Sequence, residues 1–159
     1  MAGMINQFID ILSEQTLRCE ELLGLAKEKK DVIIKNDIDE LQKITNLENM
    51  VISQNNRLER TRTALLKDIA EVLGKRGQDM DLKALLEAME GQAEQQPLRE
   101  AGEKLRGILA ELKEANEFNA SLIQNALEYI DYSLNVIRTS EQLEGPEYPE
   151  HIAPTGKGN

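Results

Sequence analysis

Apolar residues recur three and four positions apart along most of the chain, and polar breaks divide them into three long runs and one short one. In the first, residues 4–34, a single helical face collects Ile5, Phe8, Leu12, Cys19, Leu22, Ala26 and Ile33. Lys27, Lys29, Lys30 and Lys35 crowd its end, where cations complement the helix dipole. Asn36 suits a left-handed helix stop, and Asp37 with Glu40 three residues on forms a variant capping box that starts the next helix at once. That second run, residues 38–73, carries Leu41, Ile44, Val51, Leu58, Leu65, Ile69 and Val72. So short a connection predicts an antiparallel helical hairpin.

Gly74-Lys75-Arg76-Gly77 ends the second helix. A short helix is expected over residues 82–89, opened by Asp79 or Asp81 and closed by Gly91, with residues 92–96 as a polar linker. Pro97 fits the first turn of a third long helix, residues 98–140, because its missing N–H is unneeded there. The seam of this helix is a heptad: Leu98, Ala101, Leu105, Ile108, Leu112, Ala115, Asn119, Leu122, Ala126, Tyr129, Ser133, Val136. Pro and Gly then punctuate residues 141–159, which read as an irregular tail. The expected fold is all-α: an elongated antiparallel three-helix bundle over residues 1–140 with one short extra helix. At ~1.5 Å per residue its long helices make a rod on the order of 50 Å.

The third helix changes character along its length. At ~100° per residue, Leu105, Ile108, Leu109 and Leu112 span only about 100° of the helix surface. Beyond Ser121 the apolar arc opens to about 220°, taking in Leu122, Ile123, Leu127, Tyr129, Ile130, Tyr132, Leu134 and Ile137. One neighbour cannot cover such an arc. Either this half packs against both other helices or a second copy, or one of its faces receives an amphipathic segment of a partner. Asn116 and Asn119 fall on the apolar side and are expected to be a structural, register-setting pair, with Asn55 of the second helix a candidate partner for Asn119.

Composition narrows the function. Aromatics are 3% of 159 residues and Trp is absent, which suits long helices with narrow seams rather than a compact aromatic core. A formal charge of −10 disfavours nucleic acid and anionic membrane surfaces. No run approaches the ~18 apolar residues of a membrane span, and the N-terminus lacks the basic start of a secretory signal, so a cytoplasmic protein is expected. Cys19 reads as a small core hydrophobe and His151 lies in the tail, far from it. Neither a zinc nor a di-metal carboxylate site can be assembled from them, and no phosphate-cradling loop occurs. Neither catalysis nor a cofactor is expected; the pattern is that of an interaction protein, monomeric or homodimeric.

Three stretches carry a resemblance. The run from Leu25 to Leu41 leads a Leu/Lys/Glu-rich helix end through Asn36-Asp37 into the next helix, Leu47-Glu48 and Leu58-Glu-Arg-Thr-Arg62 follow, and the third helix holds Leu112, Asn116, Asn119, Leu122 and Ile123. In their order and spacing, from Ile5 to about Ile137, they resemble the FlgN family of flagellar export chaperones. The resemblance implies a chaperone for hook-associated junction proteins, holding their amphipathic C-terminal ends until the flagellar type III export apparatus takes them. It also implies docking of a tail Tyr on the export gate's cytoplasmic domain. Tyr148 stands about where that Tyr would be, followed by Pro149 where the family has Gly. The residues alone leave a rival open, a self-associating coiled-coil adaptor without a client.

Overall fold

The structure, a computed structural model, describes residues 1–75, 77 and 79–144, of which 139–144 are described by backbone alone. Four helices follow one another: α1 (Ala2–Lys35), α2 (Ile38–Val72), α3 (Leu82–Ala88) and α4 (Gln95–Glu144). No strand occurs among the described residues.

The α1–α2 turn forms as its residues dictate. Asn36 adopts the left-handed conformation (φ 59°, ψ 37°). The N–H groups of Asn36 and Asp37 then reach back to the carbonyls of Ile33 and Val32, closing a Schellman stop. Asp37 switches role within one residue, and its side chain accepts the Glu40 N–H at 3.1 Å as the N-cap of α2. Asp81 caps α3 in the same manner through the Ala84 N–H at 2.8 Å.

Helix α1 is the central element, with α2 and α4 packed on it. Gln15 meets Glu59, Arg18 meets Gln54 and Lys29 meets Glu48, an order that runs backwards along α2, so the hairpin is antiparallel. Helix α4 runs the other way. Leu98, Ala101 and Leu105 share a buried cluster with Ile5, Phe8 and Leu12 at its start, and Asn119 lies against Ala26 further along. The two helices are therefore parallel.

Packing is uneven along the rod. The continuous core lies at the α3 end, where Leu85 of α3 and its C-cap Met89 join Ile5, Phe8, Leu12 and Cys19 of α1, Ile69 of α2 and Leu98, Ala101 and Leu105 of α4. Gly102 makes room for α3, since a Cβ there would overlap Leu82 Cδ2. Towards the hairpin tip the buried apolar set thins to Leu23, Ala26 and Ile44, while Ile34, Ile38, Leu47, Met50 and Ile52 are exposed.

Some boundaries differ from expectation. Gln95 and Gln96 open α4 rather than linking to it, because Gln95 Nε2 ties back to the Leu86 carbonyl at 3.0 Å and seats the first turn on the end of α3. At its other end α4 extends to Glu144, so residues 141–144 are helix and not tail; all four are tolerant helix formers. The remaining tail, with Tyr148 and His151, lies outside the described residues. Within α1, Leu23 rather than Leu22 is the buried member of the pair, and Val72 at the end of α2 is exposed.

Candidate functional site: an unpartnered face on the long helix

The lengths of the helices create the site. Helix α4 has 50 residues against 34 in α1. With Asn119 beside Ala26 and the two helices parallel, the end of α1 at Lys35 falls about level with Glu128. The rest of α4 projects past the hairpin turn by roughly 24 Å at ~1.5 Å per residue. Nothing in the chain's described part is long enough to accompany it.

The widened apolar arc consequently stays open. Ile123, Leu127, Ile130, Leu134 and Ile137 are exposed, and only Leu122 is half-buried. Tyr129 and Tyr132 are the most exposed of the set, at 71% and 67%. Internal packing against α1 and α2 does not cover this half of α4. Of the alternatives left open by the pattern, packing against both other helices is the one not observed: beyond Glu128 α1 has ended, and before it α2 and α4 stay apart on α1.

The arc divides into two faces. Leu109, Leu112, Asn116, Ala120 and Ile123 continue into Leu127, Ile130 and Leu134 as one stripe within about 80° of the helix surface. Tyr129 and Tyr132 lie about 140–160° away on the opposite flank, with Phe118 nearer to them than to the stripe. Phe118 is accounted for, since the Lys30 ammonium sits 5.8 Å from its ring centroid.

Where the stripe enters the bundle it forms one wall of a groove lined by Leu22, Lys29, Glu48, Ile52, Leu112, Asn116, Asn119, Ala120 and Ile123. Helix α1 supplies the floor and α2 the facing wall. The floor is tied by a Lys29–Glu48 ion pair at 3.0 Å, with both side chains largely buried. Every charged residue of α4 from Glu114 to Ile137 is acidic: Glu114, Glu117, Glu128 and Asp131. An apolar stripe with acidic surroundings can take a complementary amphipathic helix.

The asparagines separate. Asn119 is buried, and its Nδ2 donates to the Ala26 carbonyl at 2.8 Å. Its expected partner, Asn55, is half-buried on α2 near the level of Gln15 to Arg18, well below Ala26, and its Oδ1 has no protein partner. Asn116 is exposed on the groove wall, so the two α4 asparagines do not form an internal pair. Sequence reasoning missed Ile52 and Ala120 as groove residues. The heptad spacing of Ala120 with Leu127 and Leu134 was a usable signal, whereas nothing along α2 distinguishes Ile52.

No group of three or more His, Cys, Asp or Glu able to hold a metal occurs among the described residues, and no described helix is long and apolar enough to cross a membrane. Cys19 is buried and burial raises its thiol pKa, so it behaves as core.

An all-helical rod with a long apolar stripe left exposed on α4 belongs to the class of helical interaction proteins. The chain is a member of the FlgN family, whose profile, described as FlgN protein, matches residues 1–147. This is a family of chaperones in flagellum biogenesis and type III protein export that bind flagellar hook-associated proteins. No curated protein and no solved structure matches the chain.

Proposed function

We propose that this protein is a cytoplasmic export chaperone that captures the amphipathic C-terminal ends of hook-associated junction proteins through α4. It masks them against premature assembly and delivers them to the flagellar type III export apparatus. The observation that carries the reading is the exposed stripe of Ile123, Leu127, Ile130, Leu134 and Ile137 on a helix that outruns its neighbours. A free C-terminal end with an apolar stripe would self-associate, and a matching face on the chaperone removes that surface by mass action without nucleotide or metal. Burial contributes about 25 cal/mol per Å² of apolar surface, and ordering a disordered client offsets part of it. The balance suits reversible holding. In this reading Tyr148 docks on the cytoplasmic domain of the export gate.

The reading of α4 as a seam between two copies has less support. Two such helices side by side would bring Glu114, Glu117, Glu128 and Asp131 of one near the same carboxylates of the other.

The test is binding of a labelled C-terminal peptide of a junction protein from the same organism to Leu127→Glu and Leu134→Glu. Both sites are exposed, so thermal melts should match the parent while affinity falls at least tenfold, about 1.4 kcal/mol. Variants that melt early would assign the stripe to packing. Stable variants that bind undiminished would remove it from the site.

A further inference from the structure

We infer that the client helix does not lie on α4 alone but is seated between α4 and α2, with Ile52 of α2 forming the second wall of its site. This rests on the reading of the α4 stripe as the client-binding face, and it extends that site onto a helix which the stripe by itself does not implicate.

The bundle is finished at one end and unfinished at the other. At the α3 end four helices share the core, with Leu85 of α3 and its C-cap Met89 buried among residues of α1, α2 and α4. At the tip end only three helices are present, and α2 and α4 pack on α1 without a close approach to each other. The space between them is the groove over Leu22 and the Lys29–Glu48 pair. One more helix there would complete the tip end as α3 completes the other.

The stripe's direction fits such an occupant. From Leu109 to Leu134 its members recur three or four residues apart and stay within about 80° of the helix surface, so one helix can remain in contact over about 38 Å at ~1.5 Å per residue. The stretch from Leu112 to Ile123 lines the groove opposite Ile52, Leu127 follows level with the last turn of α1, and Ile130 and Leu134 lie on the overhang. Ile52 is exposed although it lines the groove, and Ala120 of the α4 wall is exposed as well. Beside the stripe α4 carries Glu114, Glu117, Glu128 and Asp131, with Lys113 and Arg138 only at its two ends, so the occupant is an amphipathic helix whose apolar face is flanked along its middle by Lys or Arg.

The experiment uses the full-length chaperone and the junction-protein C-terminal peptide as probe, followed by fluorescence anisotropy. Ile52→Glu and Ala120→Arg should each weaken binding tenfold or more. Met50→Glu, about 160° around α2 from Ile52, and Tyr132→Ser, on the far flank of α4, should stay within twofold. Raising salt from about 0.05 to 0.5 M should weaken the parent complex severalfold. Parent-like binding by Ile52→Glu and Ala120→Arg, alongside loss in Leu134→Glu, would confine the client to the overhang and overturn the inference while sparing the chaperone reading. Binding untouched by all three would remove both. A photo-crosslinker at position 52 gives a readout independent of affinity. Capture of the peptide supports the two-walled site, whereas capture of a second chaperone chain, or of nothing while a crosslinker at position 127 captures the peptide, overturns it.

Discussion

Asn119 Nδ2 donates to the backbone carbonyl of Ala26 at 2.8 Å in the buried contact between α4 and α1. A carbonyl can only accept, so the amide of Asn119 must present its nitrogen there. Among heptad positions otherwise filled by apolar or small residues, this is a directional contact, and it sets α4 against α1 at one axial level. The overhang of α4, and with it the exposed stripe, follows from that level.

Asn119→Asp should therefore be costly. The carboxylate keeps the shape but replaces the donor with a charge facing a carbonyl, a loss of about 1–3 kcal/mol or more at pH 7. Protonation restores a donor, so the deficit relative to the parent should shrink as pH falls. Urea unfolding at pH 7 and pH 5 checks both parts.

Glycines inside the helices sort by what surrounds them. Gly24 and Gly107 have nothing near the position a Cβ would take. Gly24→Ala and Gly107→Ala should each add about 0.5–1 kcal/mol by restricting the unfolded chain and favouring the helix. At Gly102 the same change meets Leu82, so Gly102→Ala should forfeit that gain and loosen α3. Chemical denaturation, with limited proteolysis around α3, distinguishes them.

Glu59 links the hairpin to acid stability. Burial pushes its carboxyl up, but hydrogen bonds from Gln15 and Arg62 and the Arg62 charge outweigh that, leaving it below the ordinary value. A depressed carboxyl stabilises the fold above its unfolded pKa, and the contribution is lost as pH falls through the folded value. Glu59 is partly exposed, so the effect is that of a surface pair, about 0.2–1 kcal/mol. Glu59→Gln should flatten the fall in melting temperature below about pH 5 relative to the parent.

Cys19 should resist alkylation in the folded protein and react on unfolding, because its thiol is buried and its pKa raised by burial. Thiol titration with and without denaturant measures this. Cys19→Ser places a hydroxyl in the same apolar contact and should cost about 1–3 kcal/mol.

Much of the fold was legible because it is local. The Asn36-Asp37 stop and start, the cap at Asp81 and the periodic seams depend on residues within a turn or two of one another, and they came out close to expectation. The boundaries that moved depend on contacts from elsewhere, as when Gln95 ties to the Leu86 carbonyl and brings the first turn of α4 forward. Asn55 was matched to Asn119 by assuming equal heights on neighbouring helices, and heights are set by packing.

By itself the sequence determined that the chain is helical, where its hairpin turns, and that the second half of α4 carries more apolar surface than one neighbour can bury. Tertiary structure alone decided whether that surface would be covered. Periodicity specifies the angle of a side chain around its own helix but not its height against another, because a heptad seam pairs almost as well when slid by seven residues. The contact of Asn119 with Ala26 chooses one height. At that height α1 ends near Glu128, and the apolar stripe beyond it is left facing solvent.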